Sequence, residues 1–155
     1  MLFLYTDGLT EARSPHGGLY DESRLFELLS SLRSVGPEET VDGITFVPVS
    51  VGNPHAVVLG DPDQIGMVGP YLETHERFPE RTNVQVARVD GPGEVTARVW
   101  ERGVGETLSS GTSAVAVAAA THADGEVVVH FPGGSLRVRL GAGHATLYGT
   151  AERVA

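Results

Sequence analysis

The chain has 155 residues, 41% of them hydrophobic, a formal net charge of −9 and a mean hydropathy of −0.03. This is the make-up of a water-soluble globular protein of one ordinary domain or two very small ones, and its acidity argues against a nucleic-acid partner, whose phosphates need clustered cations. All eleven basic side chains are Arg and there is no Cys, which excludes Schiff-base lysine chemistry, disulfides, thiolate catalysis and thiolate zinc sites.

Met1 to Tyr5 reads as a short apolar strand and Thr6-Asp7-Gly8 as a turn. Five apolar residues followed by an acid, with no basic start, do not make a secretory leader, and no run approaches the roughly 18 apolar residues of a membrane span. The expected location is therefore the cytoplasm, with no membrane partner. Asp21 to Ser34 reads as an amphipathic helix that places Leu25, Phe26, Leu28, Leu29 and Leu32 on one broad face, with Gly36-Pro37 as its stop. The stretch LFLYTDGLTEARSPHGGLYDESRLFELL resembles the C-terminal end of the bacterial metal-dependent serine phosphatases. That resemblance implies that Asp7 would help to hold a metal pair. One carboxylate is a poor divalent site, because such cations need several oxygen ligands. The six His residues show no metal-ligand spacing.

After Pro37 the pattern turns to short strands with turn punctuation, and Glu38-Glu39 reads as a solvated linker. Ile44 to Val51 is a strand interrupted by Pro48, which suggests an edge or a bulge. Gly52-Asn53-Pro54-His55 is a turn, Ala56 to Leu59 a second strand, and Gln64 to Glu76 a short helix weakened by Gly69-Pro70. Asn83 to Val89 and Val95 to Trp100 form a hairpin about Asp90-Gly91-Pro92-Gly93. Three further strands follow Gly125, over Val127 to Phe131, Ser135 to Leu140 and Ala145 to Tyr148. The expected fold is α+β: a curved, mostly antiparallel meander or barrel, broken once by a buried helix.

That helix grows out of the stretch ERGVGETLSSGTSAVAVAAA, Glu101 to Ala120. Ala114 to Ala120 leave it no polar face, so it should be buried all round. Ser110 or Thr112 is the expected cap. Hydroxyls and unpartnered first-turn N–H groups at a helix N-terminus form a natural anion site.

Gly52-Asn53-Pro54-His55, Phe78-Pro79-Glu80-Arg81-Thr82-Asn83-Val84, Glu101-Arg102-Gly103-Val104-Gly105-Glu106-Thr107 with its following Ser-Gly-Thr, and Phe131-Pro132-Gly133-Gly134 together resemble the C-terminal half of diaminopimelate epimerase. The resemblance runs from about Val41 to Ala155. It implies two similar domains, each a curved sheet around a central helix, with the active site between them. It implies cofactor-free inversion of the α-carbon of diaminopimelate, an amino-acid substrate, by a thiolate on one face and a thiol on the other. By the same resemblance Asn53, Asn83, Glu101, Arg102, Gly111 and Thr112 would bind substrate, and His55 and Glu101 would support the catalytic acid and base.

This half's catalytic cysteine would fall on Ser110. A hydroxyl near water's pKa of about 15.7 lies some seven units above a thiol, which makes its anion roughly 10 kcal/mol harder to form. Where the family's N-terminal half belongs, the chain carries the phosphatase-like segment instead. The reading is a two-part chain: an appendage over 1–38 and an epimerase-like C-terminal domain over 39–155, a half-enzyme that acts as a homodimer or pairs with a missing N-terminal half. The alternatives are a non-catalytic module that binds an amino-acid-like anion, another isomerase of the same fold with Glu101 moving the proton, and a phosphatase remnant.

Overall fold

The computed structural model describes residues 33–149. The strand expected at Met1 to Tyr5, Asp7, and the helix expected from Asp21 as far as residue 32 lie outside them. Ten strands form one curled sheet: β1 Arg33–Val35, β2 Glu39–Val41, β3 Ile44–Val51, β4 Pro54–Leu59, β5 Asn83–Gly91, β6 Glu94–Glu101, β7 Gly105–Thr107, β8 Gly125–Phe131, β9 Gly134–Gly141 and β10 His144–Tyr148. The helices are α1 Ile65–Glu73, entered through a 3₁₀ turn at Pro62–Gln64, and α2 Gly111–Thr121. Among the described residues no helix is long and apolar enough to cross a membrane.

The strand order is β1-β3-β4-β5-β6-β8-β9-β10, with β2 beside β3 and β7 beside β6. Pairing is antiparallel except for β4 with β5 and β6 with β8. Parallel neighbours need a crossover, and α1 and α2 supply the two. The meander is thus broken twice, not once, and the helices lie on opposite faces of the sheet.

Period-2 alternation builds both faces. Val47, Val49, Val51 and Val57 turn inward with Val95, Ala97 and Val99 onto α2, whose Ala114, Ala116, Val117 and Ala118 complete the central core. Their alternating neighbours Phe46, Ala56, Val58, Val84 and Val86 turn outward onto Ile65, Val68 and Leu72 of α1. Strands β4 and β5 are therefore buried on both sides over 55–58 and 83–87, where His55, Asn83 and Gln85 interrupt the apolar residues. At β9 only one face is covered, and buried Val138 and Leu140 alternate with exposed Arg137 and Arg139. The central helix α2 is lined by small residues and is not buried all round: Val115, Ala120 and Thr121 are half-buried.

Three further expectations are corrected. Arg33–Val35 is a strand on Val49–Val51 rather than the end of a helix. Glu39 is no free linker residue: it lies in β2 and takes a bidentate bond from Arg77 at 2.7 and 2.8 Å. Strand β3 is internal, with Pro48 opposite the gap between β1 and β2. The Pro48 carbonyl accepts from Gly36 N–H at 2.9 Å, so the missing proline donor faces the place where no strand needs it.

Helix α1 seats on Trp100 through Gly69. A Cβ added there would lie 2.6 Å from the Cβ of Trp100 and 2.7 Å from its Cγ. Alanine normally gains about 1 kcal/mol over glycine inside a helix. Gly69→Ala is nonetheless expected to destabilise the protein by about 1–3 kcal/mol, because the clash is with atoms near the Trp100 backbone that cannot swing away. Urea unfolding checks this.

Candidate active site

Three turns and one helix end carry the site. The turn between β3 and β4 uses Gly52, at φ +92, to project Asn53. Residues 101–105 form the turn between β6 and β7, closed by Val104 N–H to the Glu101 carbonyl at 3.0 Å, with Gly103 supplying the positive φ of +75 at the third position. Arg81 enters β5 in the left-handed region, at φ +61, a conformation that costs a side-chain-bearing residue about 1–2 kcal/mol. Its neighbour Thr82 is fully buried, and Asn83 follows at the first position of β5.

His55 and Asn83 are register partners on the parallel strands β4 and β5. His55 is 2% exposed. Its Nε2 lies 2.9 Å from Asn53 Oδ1, and its Nδ1 lies 2.9 Å from the Gln85 amide nitrogen. Burial holds its pKa down at about 4, and the nearby Arg102 charge lowers it further. The ring is neutral at pH 7. Gln85 also donates to Ser113 Oγ, in the first turn of α2, at 2.9 Å. A single buried amide thus ties the turn of Asn53 to the helix N-terminus.

Asn83 stitches the second pair of loops. Its Nδ2 donates to the Pro54 carbonyl at 3.0 Å, and its Oδ1 accepts from the Arg102 N–H at 2.9 Å. The exposed Arg102 guanidinium donates to the Glu80 carbonyl at 3.2 Å. Glu101 does not pair with Arg102; its carboxylate accepts from Thr107 Oγ1 at 2.7 Å. Behind this turn Glu73, 6% exposed, accepts from Trp100 Nε1 and from Gly103 N–H, both at 2.7 Å. Those bonds, the Gly103 one foremost, hold its pKa below the usual carboxylate value.

Ser110 is the N-cap residue of α2, with extended backbone (φ −150, ψ 127). The expected side-chain cap is absent: neither Ser110 nor Thr112 gives an oxygen to a first-turn N–H. The helix begins with Ala114 N–H bonded to the Ser110 carbonyl at 3.0 Å. The preceding N–H groups keep no acceptor among the described residues, which suits them to an anion. Gly133 N–H donates to the Leu108 carbonyl at 2.8 Å, so the Phe131-Pro132-Gly133-Gly134 turn braces the loop that delivers Ser110.

The structure therefore joins Asn53, His55, Asn83 and Arg102 in one hydrogen-bonded frame with the first turn of α2. No direct hydrogen bond links Ser110, Glu101 and His55 to one another among the described residues. Gln85 and Glu73 are the participants that sequence reading missed. Gln85 breaks the Val-rich alternation of β5, which is a visible signal; Glu73, at a helix end, shows none.

Comparison with known proteins agrees with this architecture. The family model for diaminopimelate epimerase matches residues 47–154, and a weaker match to stage II sporulation protein E covers residues 1–47. The diaminopimelate epimerase of Desulforudis audaxviator is 50% identical over 115 residues, 68% of this chain and 41% of the relative. That of Desulfitobacterium hafniense is 41% identical over 116 residues, 69% of this chain and 41% of the relative. The enzyme of Chelativorans sp. is 45% identical over 97 residues, 57% of this chain and 33% of the relative. The chain spans about two fifths of the length of the first two curated relatives. With a family match over most of its length and a curled sheet around a buried central helix, the chain belongs to the diaminopimelate epimerase family.

Proposed function

We propose that this chain carries the C-terminal half-site of a cofactor-independent amino-acid epimerase and that it binds a diaminopimelate-like substrate more readily than it turns it over. The observation that supports this reading most is the frame of Asn53, His55, Asn83 and Arg102 tied to the N-terminus of α2. In it Asn53, Asn83, Glu101 and Arg102 bind the polar ends of the substrate. Gly111 and Thr112 receive a carboxylate at the helix N-terminus, and His55 and Glu101 support proton transfer. Ser110 stands where the thiol would move the proton.

In this reading the opposing acid comes from another half-site, an N-terminal half or a second copy. Val104 and Leu108, both exposed on the loops flanking β7, would form an apolar rim for such a partner. The proposed division places the epimerase-like domain at 39–155 and the phosphatase-like segment at 1–38, with Arg33–Val35 of that segment on the sheet. The proposed location is the cytoplasm. The binding-only reading is favoured by Ser110 itself.

Calorimetric titration with diaminopimelate tests the reading. Saturable binding supports it, and no binding at millimolar ligand sinks it. Ser110→Cys creates the sole thiol of the chain. At a helix N-terminus its pKa is expected below the usual value of about 8.5, read from the pH dependence of alkylation. The same variant is expected to raise solvent deuterium exchange at the substrate α-carbon above wild type. A thiol that titrates at or above about 8.5 would remove the argument for an anion-stabilising helix end.

A further inference from the structure

We infer that Gln85 is a positioning residue that fixes the tautomer of His55 and, through it, turns the side-chain amide of Asn53 so that its NH₂ group faces the ligand. The ligand part rests on the proposed substrate site; the tautomer part stands on the hydrogen bonds alone.

Gln85, His55 and Ser113 form a buried cluster: Gln85 and Ser113 are 0% exposed and His55 is 2% exposed. One terminal atom of Gln85 sits 2.9 Å from both His55 Nδ1 and Ser113 Oγ. The other, Oε1, has no partner. The orientation of the amide follows from counting unmet groups. With nitrogen in the shared position, both its hydrogens are used and one carbonyl oxygen is left over. With oxygen there, two buried N–H donors would be left over instead. An unmet buried donor costs at least as much as an unmet carbonyl, which has two lone pairs and tolerates partial satisfaction better. Nitrogen therefore occupies the shared position.

The consequences run outward along the chain of bonds. A donating Gln85 requires His55 Nδ1 to be a bare acceptor. The neutral ring then carries its proton on Nε2 and donates to Asn53 Oδ1, 2.9 Å away. With its oxygen engaged, Asn53 keeps its NH₂ group free of protein partners among the described residues. Asn83 is oriented in the same sense, since its oxygen is taken by the Arg102 N–H; one hydrogen of its NH₂ group goes to the Pro54 carbonyl and the second is left to donate. Both asparagines thus offer donors, which selects a ligand group that accepts, a carboxylate, over one that donates, an ammonium.

The test uses the full chain labelled with ¹⁵N-histidine. Long-range proton–nitrogen correlation spectra report which ring nitrogen of His55 carries hydrogen. Wild type is expected to show the proton on Nε2. Gln85→Glu places a carboxylate against Nδ1 and is expected to draw the proton there. Asn53 then rotates to donate to the bare Nε2 and presents its oxygen to the ligand. Affinity for diaminopimelate is expected to fall by about tenfold or more, as a donor–acceptor pair becomes two opposed acceptors.

A proton on Nδ1 in wild type would overturn the inference without any variant being made. So would an unchanged tautomer in a folded Gln85→Glu protein, or a changed tautomer with unchanged affinity. An Nε2 proton in wild type, moved by Gln85→Glu, in a chain that binds no diaminopimelate would uphold the tautomer lock and sink only the substrate reading.

Discussion

Glu73→Ala is expected to destabilise the protein by about 3–5 kcal/mol, although Glu73 lies outside the proposed set of substrate-binding and proton-transfer groups. Its carboxylate is the acceptor for Trp100 Nε1–H and for Gly103 N–H, each at 2.7 Å, and alanine leaves both donors without a partner. The third contact, from Arg81 at 3.4 Å, adds little because the guanidinium is largely exposed. Trp100 is the only tryptophan of the chain, so urea unfolding followed by its fluorescence reads the event at its origin. Glu73→Gln keeps one acceptor but sets an amide against the other donor, and is expected to fall between wild type and alanine. A loss below about 1 kcal/mol for alanine would mean that the turn of residues 101–105 does not depend on this carboxylate.

Acid is expected to weaken the fold from pH 6.5 downward, before the carboxylates begin to protonate. In the unfolded chain His55 takes up a proton near 6.5; in the folded protein burial delays this to about 4. Between those values the unfolded state binds more protons. Stability is therefore complete above pH 6.5 and is lost as pH falls toward 4, by about 3 kcal/mol in all. Glu73, whose folded pKa lies below 4.5, adds an acid loss of the same sign only at lower pH. Denaturant midpoints of wild type and His55→Gln between pH 7.5 and 4.5 isolate the histidine. Wild type should lose stability over this window and the variant should lose markedly less. Parallel curves would show that His55 is not held neutral by burial.

Apart from the three-residue β7, which the sequence reading missed, the strands from β3 onward are legible in the sequence because hydrophobic alternation and turn residues agree there. The hairpin about Asp90-Gly91-Pro92-Gly93 and the buried helix after Ser110 follow from local pattern alone. The edge strands do not: Arg33–Val35 and Glu39–Val41 are three residues each and owe their conformation to the strand they pair with. The second helix is legible as a weak helix, but its placement on the outer face is not. Gly69, which reads as a defect, is what lets it approach Trp100. In the site, Asn53, His55 and Asn83 are visible as polar residues at turns and strand starts. Glu73 is invisible because its partners lie 27 and 30 residues away and depend on the register of β6.

The position of the first strands has a consequence for how the chain can be divided. The family match begins at residue 47, in the middle of β3, while the strands that flank β3 on its outer side come from residues 33–41. The seam between the two stretches of resemblance therefore runs through the hydrogen-bonded interior of the sheet and not through a linker. A cut made at that seam would strip β3 of its first half and remove both strands that cover its outer side, while the ladder of Val47–Ser50 on β4 would stay whole. Residues 33–41 and the matched stretch from residue 47 onward share one sheet, whatever their separate resemblances.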